Sequence, residues 1–102
     1  MSAKSRGTAR ENQVLKQLRA DGWLALRAPA SIGAADIIAL KDGERPMLVQ
    51  VKANRGNAFM NFRPAERAEL AADAVKAGAR AYLVHWPARG EQRWLPPSAW
   101  PS

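Results

Sequence analysis

Three residues could gather around a cation: Asp36, Gln50 and Lys52. The stretch PMLVQVKA (46–53) reads as an apolar strand carrying an amide and an ammonium two positions apart. Side chains alternate across a strand, so Leu48, Gln50 and Lys52 share one face and Met47, Val49 and Val51 the other. An unpaired lysine is costly to bury, so the Gln50–Lys52 face is either open to water or meets something anionic. Asp36 opens DIIAL (36–40), and Lys41-Asp42-Gly43-Glu44 carries the Asp-Gly signal that folds the next strand back on it. A carboxylate, an amide carbonyl and a lysine at a hairpin end suit a hard cation such as Mg²⁺. That ion takes few protein oxygens and keeps several waters, leaving room for a phosphate oxygen. It can polarise a phosphoryl group and help to form hydroxide, while the lysine stabilises charge. The competing reading is an edge hairpin with an exposed polar face, because the same spacing occurs on many surface hairpins.

Glu11 has two readings. Thr8-Ala9-Arg10-Glu11 fits a capping box, with Glu11 reaching back to the Thr8 N–H. Glu11 also shares a helix face with Leu15 and Leu18, where a carboxylate requires a cation or several donors. In the loop Arg27–Gly33, Ser31 offers a hydroxyl, but no base stands near it in sequence and turn chemistry explains it equally well. His85 alternates with apolar residues in AYLVHW and reads as a partly buried structural histidine. Trp94 and Trp100 are expected to pack the tail onto the body, and Arg55, in the loop 54–57, is a candidate phosphate contact.

These residues need elements to position them. The pattern predicts a helix over Thr8–Ala20, a strand over Trp23–Ala28, the hairpin strands Asp36–Leu40 and Met47–Lys52, and a helix from Pro64 to Ala77 stopped by Gly78. A strand over Ala81–Trp86 follows, with a short fifth after a Pro87–Gly90 turn. The order αβββαβ implies an α/β fold, a mixed β-sheet flanked by helices. One domain over 1–102 is expected, with a basic N-terminal segment (1–7) and a Pro/Trp-rich tail (95–102).

Composition narrows the chemistry. The absence of cysteine excludes disulfides and thiolate metal sites, and one histidine disfavours His-rich zinc sites. No apolar run approaches a membrane span, and the basic start lacks the apolar stretch of a signal peptide, so a cytoplasmic, DNA-associated protein is expected. The formal charge of +7, with Lys4, Arg6 and Arg10 massed before the first acid, points to a polyanionic partner, above all nucleic acid.

Taken in order, Gly7-Thr8-Ala9-Arg10-Glu11, Arg27-Ala28-Pro29-Ala30-Ser31, Asp36-Ile37-Ile38-Ala39-Leu40 and Gln50-Val51-Lys52 resemble the archaeal-type Holliday junction resolvases. Those are small dimeric nucleases of the PD-(D/E)xK superfamily, with a restriction-endonuclease-like core. FRPAERAEL (62–70) resembles the family's next segment, where a basic-aromatic loop meets the second helix. The resemblance implies a metal-dependent, structure-selective endodeoxyribonuclease that resolves four-way DNA junctions by paired symmetric nicks. It implies Mg²⁺ (with Mn²⁺ able to substitute) at Asp36, Gln50, Glu11 and the Val51 backbone carbonyl. Lys52 is then the catalytic lysine, helped by Glu11 and Ser31, while Lys4, Arg6, Arg10, Arg27, Arg55 and Arg63 contact DNA. Branched DNA and a second copy of the chain are the implied partners, with no membrane and no small-molecule cofactor, and the compactness of the chain points to a phage or prophage origin. Three departures stand out: Gln50 replaces the usual second acid, Ala35 stands where the motif name has proline, and the loop from Ser31 to Asp36 is short. Other readings are a nuclease of the same fold acting on flaps or other branched DNA, a non-catalytic DNA-binding module with a degenerate metal site, and a small RNA-binding protein.

Overall fold

A computed structural model describes residues 3–29, 33–87 and 91–101, with only the backbone for 3–7. The first helix, α1 (Ala3–Ala20), begins five residues before the expected start at Thr8. Ala, Lys and Arg favour the helix, and the one weak residue, Gly7, costs only about 1 kcal/mol. Thr8 therefore lies inside the helix, and the expected capping box with Glu11 does not form. The segment 1–7 is likewise helical from Ala3 onward.

Strands β1 (Leu24–Arg27), β2 (Ile37–Leu40), β3 (Met47–Ala53), β4 (Arg80–Trp86) and β5 (Arg93–Leu95) form one sheet in that spatial order. Neighbours are antiparallel except β3 and β4, which run parallel with Lys52 beside His85. The parallel step requires a crossover, supplied by α2 (Pro64–Ala77). Pro64 occupies the first turn of α2, and Gly78 ends it at φ 63, a left-handed conformation open to glycine at little cost. The Ala79 N–H then closes on the Ala74 carbonyl at 2.8 Å.

β3 is the central strand, which overturns the edge-hairpin reading. Its alternation assigns its two faces as expected. Met47, Val49 and Val51 join Val14, Leu15 and Leu18 of α1 in one core, and Leu48 joins Phe62, Leu70 and Leu83 in a second core under α2. A strand covered on both sides tolerates few polar groups, yet Gln50 sits there only 5% exposed. Trp94 packs edge-on against Tyr82, with ring centres 5.7 Å apart, and Trp100 against Phe62 at 5.0 Å. Its indole N–H also donates to the Leu95 carbonyl at 2.9 Å, so the tail is pinned to the body as expected.

Candidate active site

The site forms where β2 stops pairing. Ladder register ends at Ile37 opposite Val49, so the Val51 amide, which faces the β2 side, lies beyond the paired β2 backbone. The Asp36 side chain takes that place. The Asp36 backbone N–H donates to the Val49 carbonyl at 2.8 Å, and its side-chain Oδ2 accepts from the Val51 N–H at 2.8 Å. Its carboxylate is thereby fixed against β3, and among the described residues its other oxygen receives no hydrogen bond.

Asp36 lines a concave pocket with Glu11, Arg27, Gly33, Gln50 and Glu66. Burial pushes its carboxyl up from 3.8 to about 6, against the Val51 N–H, which lowers it. The charges of Glu11 and Glu66 push further upward, and that of Lys52 pulls down. The Gln50 amide satisfies both of its groups when its NH₂ donates to the Ala34 carbonyl and its oxygen lies 3.2 Å from Lys52 Nζ. Lys52 Nζ is also 4.0 Å from Glu66 Oε2. Asp36, Gln50 and Glu11 therefore line one pocket from separate parts of the chain, with Lys52 Nζ beside the Gln50 amide.

The carboxylate of Glu11 is held by Arg27, whose Nη1 lies 2.5 Å from Oε1. The same guanidinium donates to Asn12 Oδ1 and, at 3.4 Å, to the Thr8 carbonyl. It clamps β1 to α1 and fixes Glu11 toward the pocket. Of the other basic residues named from sequence, Arg10 stacks on the Trp86 ring at 4.7 Å, while Arg55 and Arg63 are exposed. Ser31 lies outside the described residues, as do the side chains of Lys4 and Arg6. At Val51 the backbone group that meets Asp36 is the N–H. His85 is buried and bonds Asn54 Oδ1 at 3.2 Å, with burial pulling its pKa below 6.5. It is a structural histidine, as expected.

Glu66 is the residue that sequence reasoning missed. At the start of α2 it accepts the Arg63 N–H at 3.3 Å. Its place in the pocket follows from the crossover, which sets the first turn of α2 beside the end of β3.

A mixed sheet between two helices, with an aspartate fixed where β2 and β3 part and a lysine near the end of β3, defines a nuclease core of the restriction-endonuclease type. Comparison with known families makes this specific: the family model for archaeal Holliday junction resolvases matches residues 2–100. The chain belongs to that family. Among solved structures it is similar to Hjc of Archaeoglobus fulgidus, a Holliday junction resolvase from an archaeal hyperthermophile. The TM-score is 0.73 at 26% identity, covering 91% of this chain and 74% of that one. No curated protein matches.

Proposed function

We propose that this chain is a Mg²⁺-dependent endodeoxyribonuclease, with Mn²⁺ able to substitute, that resolves four-way DNA junctions as a homodimer. The observation that carries the reading is the Asp36 carboxylate, fixed at the parting of β2 and β3 with Gln50 and Lys52 beside it. The donor set fits a hard cation. All of its groups are oxygens, and a buried carboxylate raised toward pH 6 beside two further acids is relieved by positive charge. Among the described residues no three acids or histidines gather closely enough to enclose an ion alone. Mg²⁺ suits such a site because it binds through one or two carboxylates and keeps most of its waters.

Asp36 and Gln50 would hold the ion, with Glu11 and the Val51 carbonyl in support. When bound, the ion supplies Lewis-acid polarisation of the scissile phosphate and a more acidic water. Lys52, held between Gln50 and Glu66, donates to the phosphate oxygen on which charge builds in the transition state. Arg27 keeps Glu11 oriented, and Ser31 is a further candidate from the loop ahead of Asp36. Lys4, Arg6, Arg10, Arg55 and Arg63 contribute phosphate contacts, which position a branched backbone more than they read bases. The residues 1–102 act as one nuclease domain.

The dimer reading is supported by β1 and β2. On the side of the sheet where α2 packs on β3 and β4, Leu24, Leu26 and Leu40 stand 60%, 46% and 40% exposed. Leu24 and Leu40 pair in register, so these side chains form one apolar face suited to a two-fold contact. No helix among the described residues is long and apolar enough to cross a membrane, and a DNA-associated, cytoplasmic location accords with the charge of +7.

Cleavage of matched four-way, flap and splayed-arm substrates tests the substrate class. Four-way junctions are expected to be cut at least tenfold faster than the others. Equal rates would leave a general branched-DNA nuclease.

A further inference from the structure

The pocket has a charge problem. Gln50 contributes a neutral amide, and the Glu11 charge is offset by the Arg27 guanidinium 2.5 Å away. Lys52, near enough for its charge to lower the Asp36 pKa, offsets the charge of Asp36 in the sum. A site made of these residues alone carries no net negative charge, and a divalent cation gains little by leaving water for it.

One further acid lines the pocket. Glu66 projects from the first turn of α2, and among the described residues its partners are the Arg63 N–H at 3.3 Å and Lys52 Nζ at 4.0 Å. The N–H contact uses Oε1, while Oε2 is the oxygen nearer Lys52. α2 is anchored below by Leu70 and Ala74, both in the core shared with β3 and β4, so the backbone that carries this carboxylate is fixed. With Glu66 added, the charged groups Glu11, Asp36, Glu66, Arg27 and Lys52 sum to one net negative charge.

We propose that Glu66 supplies the second carboxylate of the cation site, from α2, in place of an acid at Gln50 on β3. The inference rests on the metal-dependent reading above. Glu66 then has two functions on two oxygens: it caps α2 through Oε1 and presents charge to the cation through Oε2. The neutral Gln50 remains an oxygen ligand whose amide also lies against Lys52, and the site is complete without an acid on β3.

The test is Mn²⁺ binding to the whole protein, followed by electron paramagnetic resonance or calorimetry, in wild type, Glu66→Gln, Asp36→Asn and Gln50→Glu/Glu66→Gln. Glutamine at 66 keeps an oxygen for the Arg63 N–H, so the thermal midpoint should stay put. Glu66→Gln should weaken Mn²⁺ binding about tenfold or more, within the range seen when groups supporting a metal are removed. The double variant should recover most of that loss by moving the charge to β3. If Asp36→Asn weakens binding while Glu66→Gln does not, the assignment of Glu66 is overturned and the metal site stands. If neither variant changes Mn²⁺ binding, the metal reading fails and this assignment with it. Lost cleavage with unchanged Mn²⁺ affinity in Glu66→Gln also overturns the assignment, because it would reduce Glu66 to a positioning residue for Lys52.

Discussion

The Val51 N–H donates to Asp36 Oδ2 over 2.8 Å, so a side chain completes the ladder that the β2 backbone leaves unfinished. One hydrogen bond thus fixes the carboxylate and seals the end of the central strand. Substitutions at Asp36 should separate these two contributions.

Asp36→Asn retains an oxygen for the Val51 N–H but removes the charge, so cleavage should vanish while the fold survives. The sign of the stability change follows from the raised pKa. Below about pH 4 both folded and unfolded chains hold the proton at Asp36. Between about 4 and 6 the folded protein keeps a proton that the unfolded chain releases, so this favourable contribution is lost as pH rises. Above 6 the ionised group lowers stability by on the order of 2–3 kcal/mol, which asparagine avoids. Metal-free denaturation should therefore show Asp36→Asn more stable than wild type at pH 8 and nearly equal at pH 4. Equal stability at both would contradict the burial argument.

Cleavage at limiting Mg²⁺ should rise with pH through about 6, as Asp36 gives up its proton to make room for the cation. Raising Mg²⁺ should move the midpoint to lower pH. A pH profile whose midpoint ignores Mg²⁺ would place the controlling group elsewhere.

Arg27→Met removes the clamp on Glu11. The pair is partly exposed, at 41% and 24% for the two side chains, so the stability loss should stay near or below about 1 kcal/mol. Cleavage should fall tenfold or more while junction affinity changes little. Loss of affinity, with a shallower salt dependence by about one phosphate contact, would make Arg27 a backbone ligand instead.

Leu26→Asp puts a charge on the exposed face of β1 and β2. Light scattering should show wild-type dimers and variant monomers, with paired nicks giving way to single ones. A dimer that survives this change uses another surface.

The strands, the second helix and its Gly78 stop were legible because alternation, the Asp-Gly turn and Pro64 are local signals. The face assignment of Met47, Val49 and Val51 follows from the same alternation. The start of α1 was not legible, because Thr8-x-x-Glu11 satisfies a local capping pattern that a longer run of helix formers overrides. Asp36, Gln50 and Lys52 could be grouped because one hairpin joins them. Glu66 reaches the site through a parallel crossover, and the Glu11–Arg27 pair through packing of α1 on β1. Neither arrangement leaves a local trace. The burial of Gln50 was hidden for a related reason: α2 covers its face only once β4 lies beside β3. Gly33 shows the same dependence. It holds φ 55 where an added Cβ would collide with the Asp73 carboxylate, a neighbour that only the fold supplies.

Nicking of an end-labelled, immobile four-way junction in Mg²⁺, beside a linear duplex of the same sequence and Asp36→Ala protein, bears most directly on this site. Paired symmetric nicks in the junction alone, absent with Asp36→Ala, are the expected result. Junction binding without nicking, in Mg²⁺ and in Mn²⁺ alike, would contradict it and mark Gln50 as the lesion of a DNA-binding module.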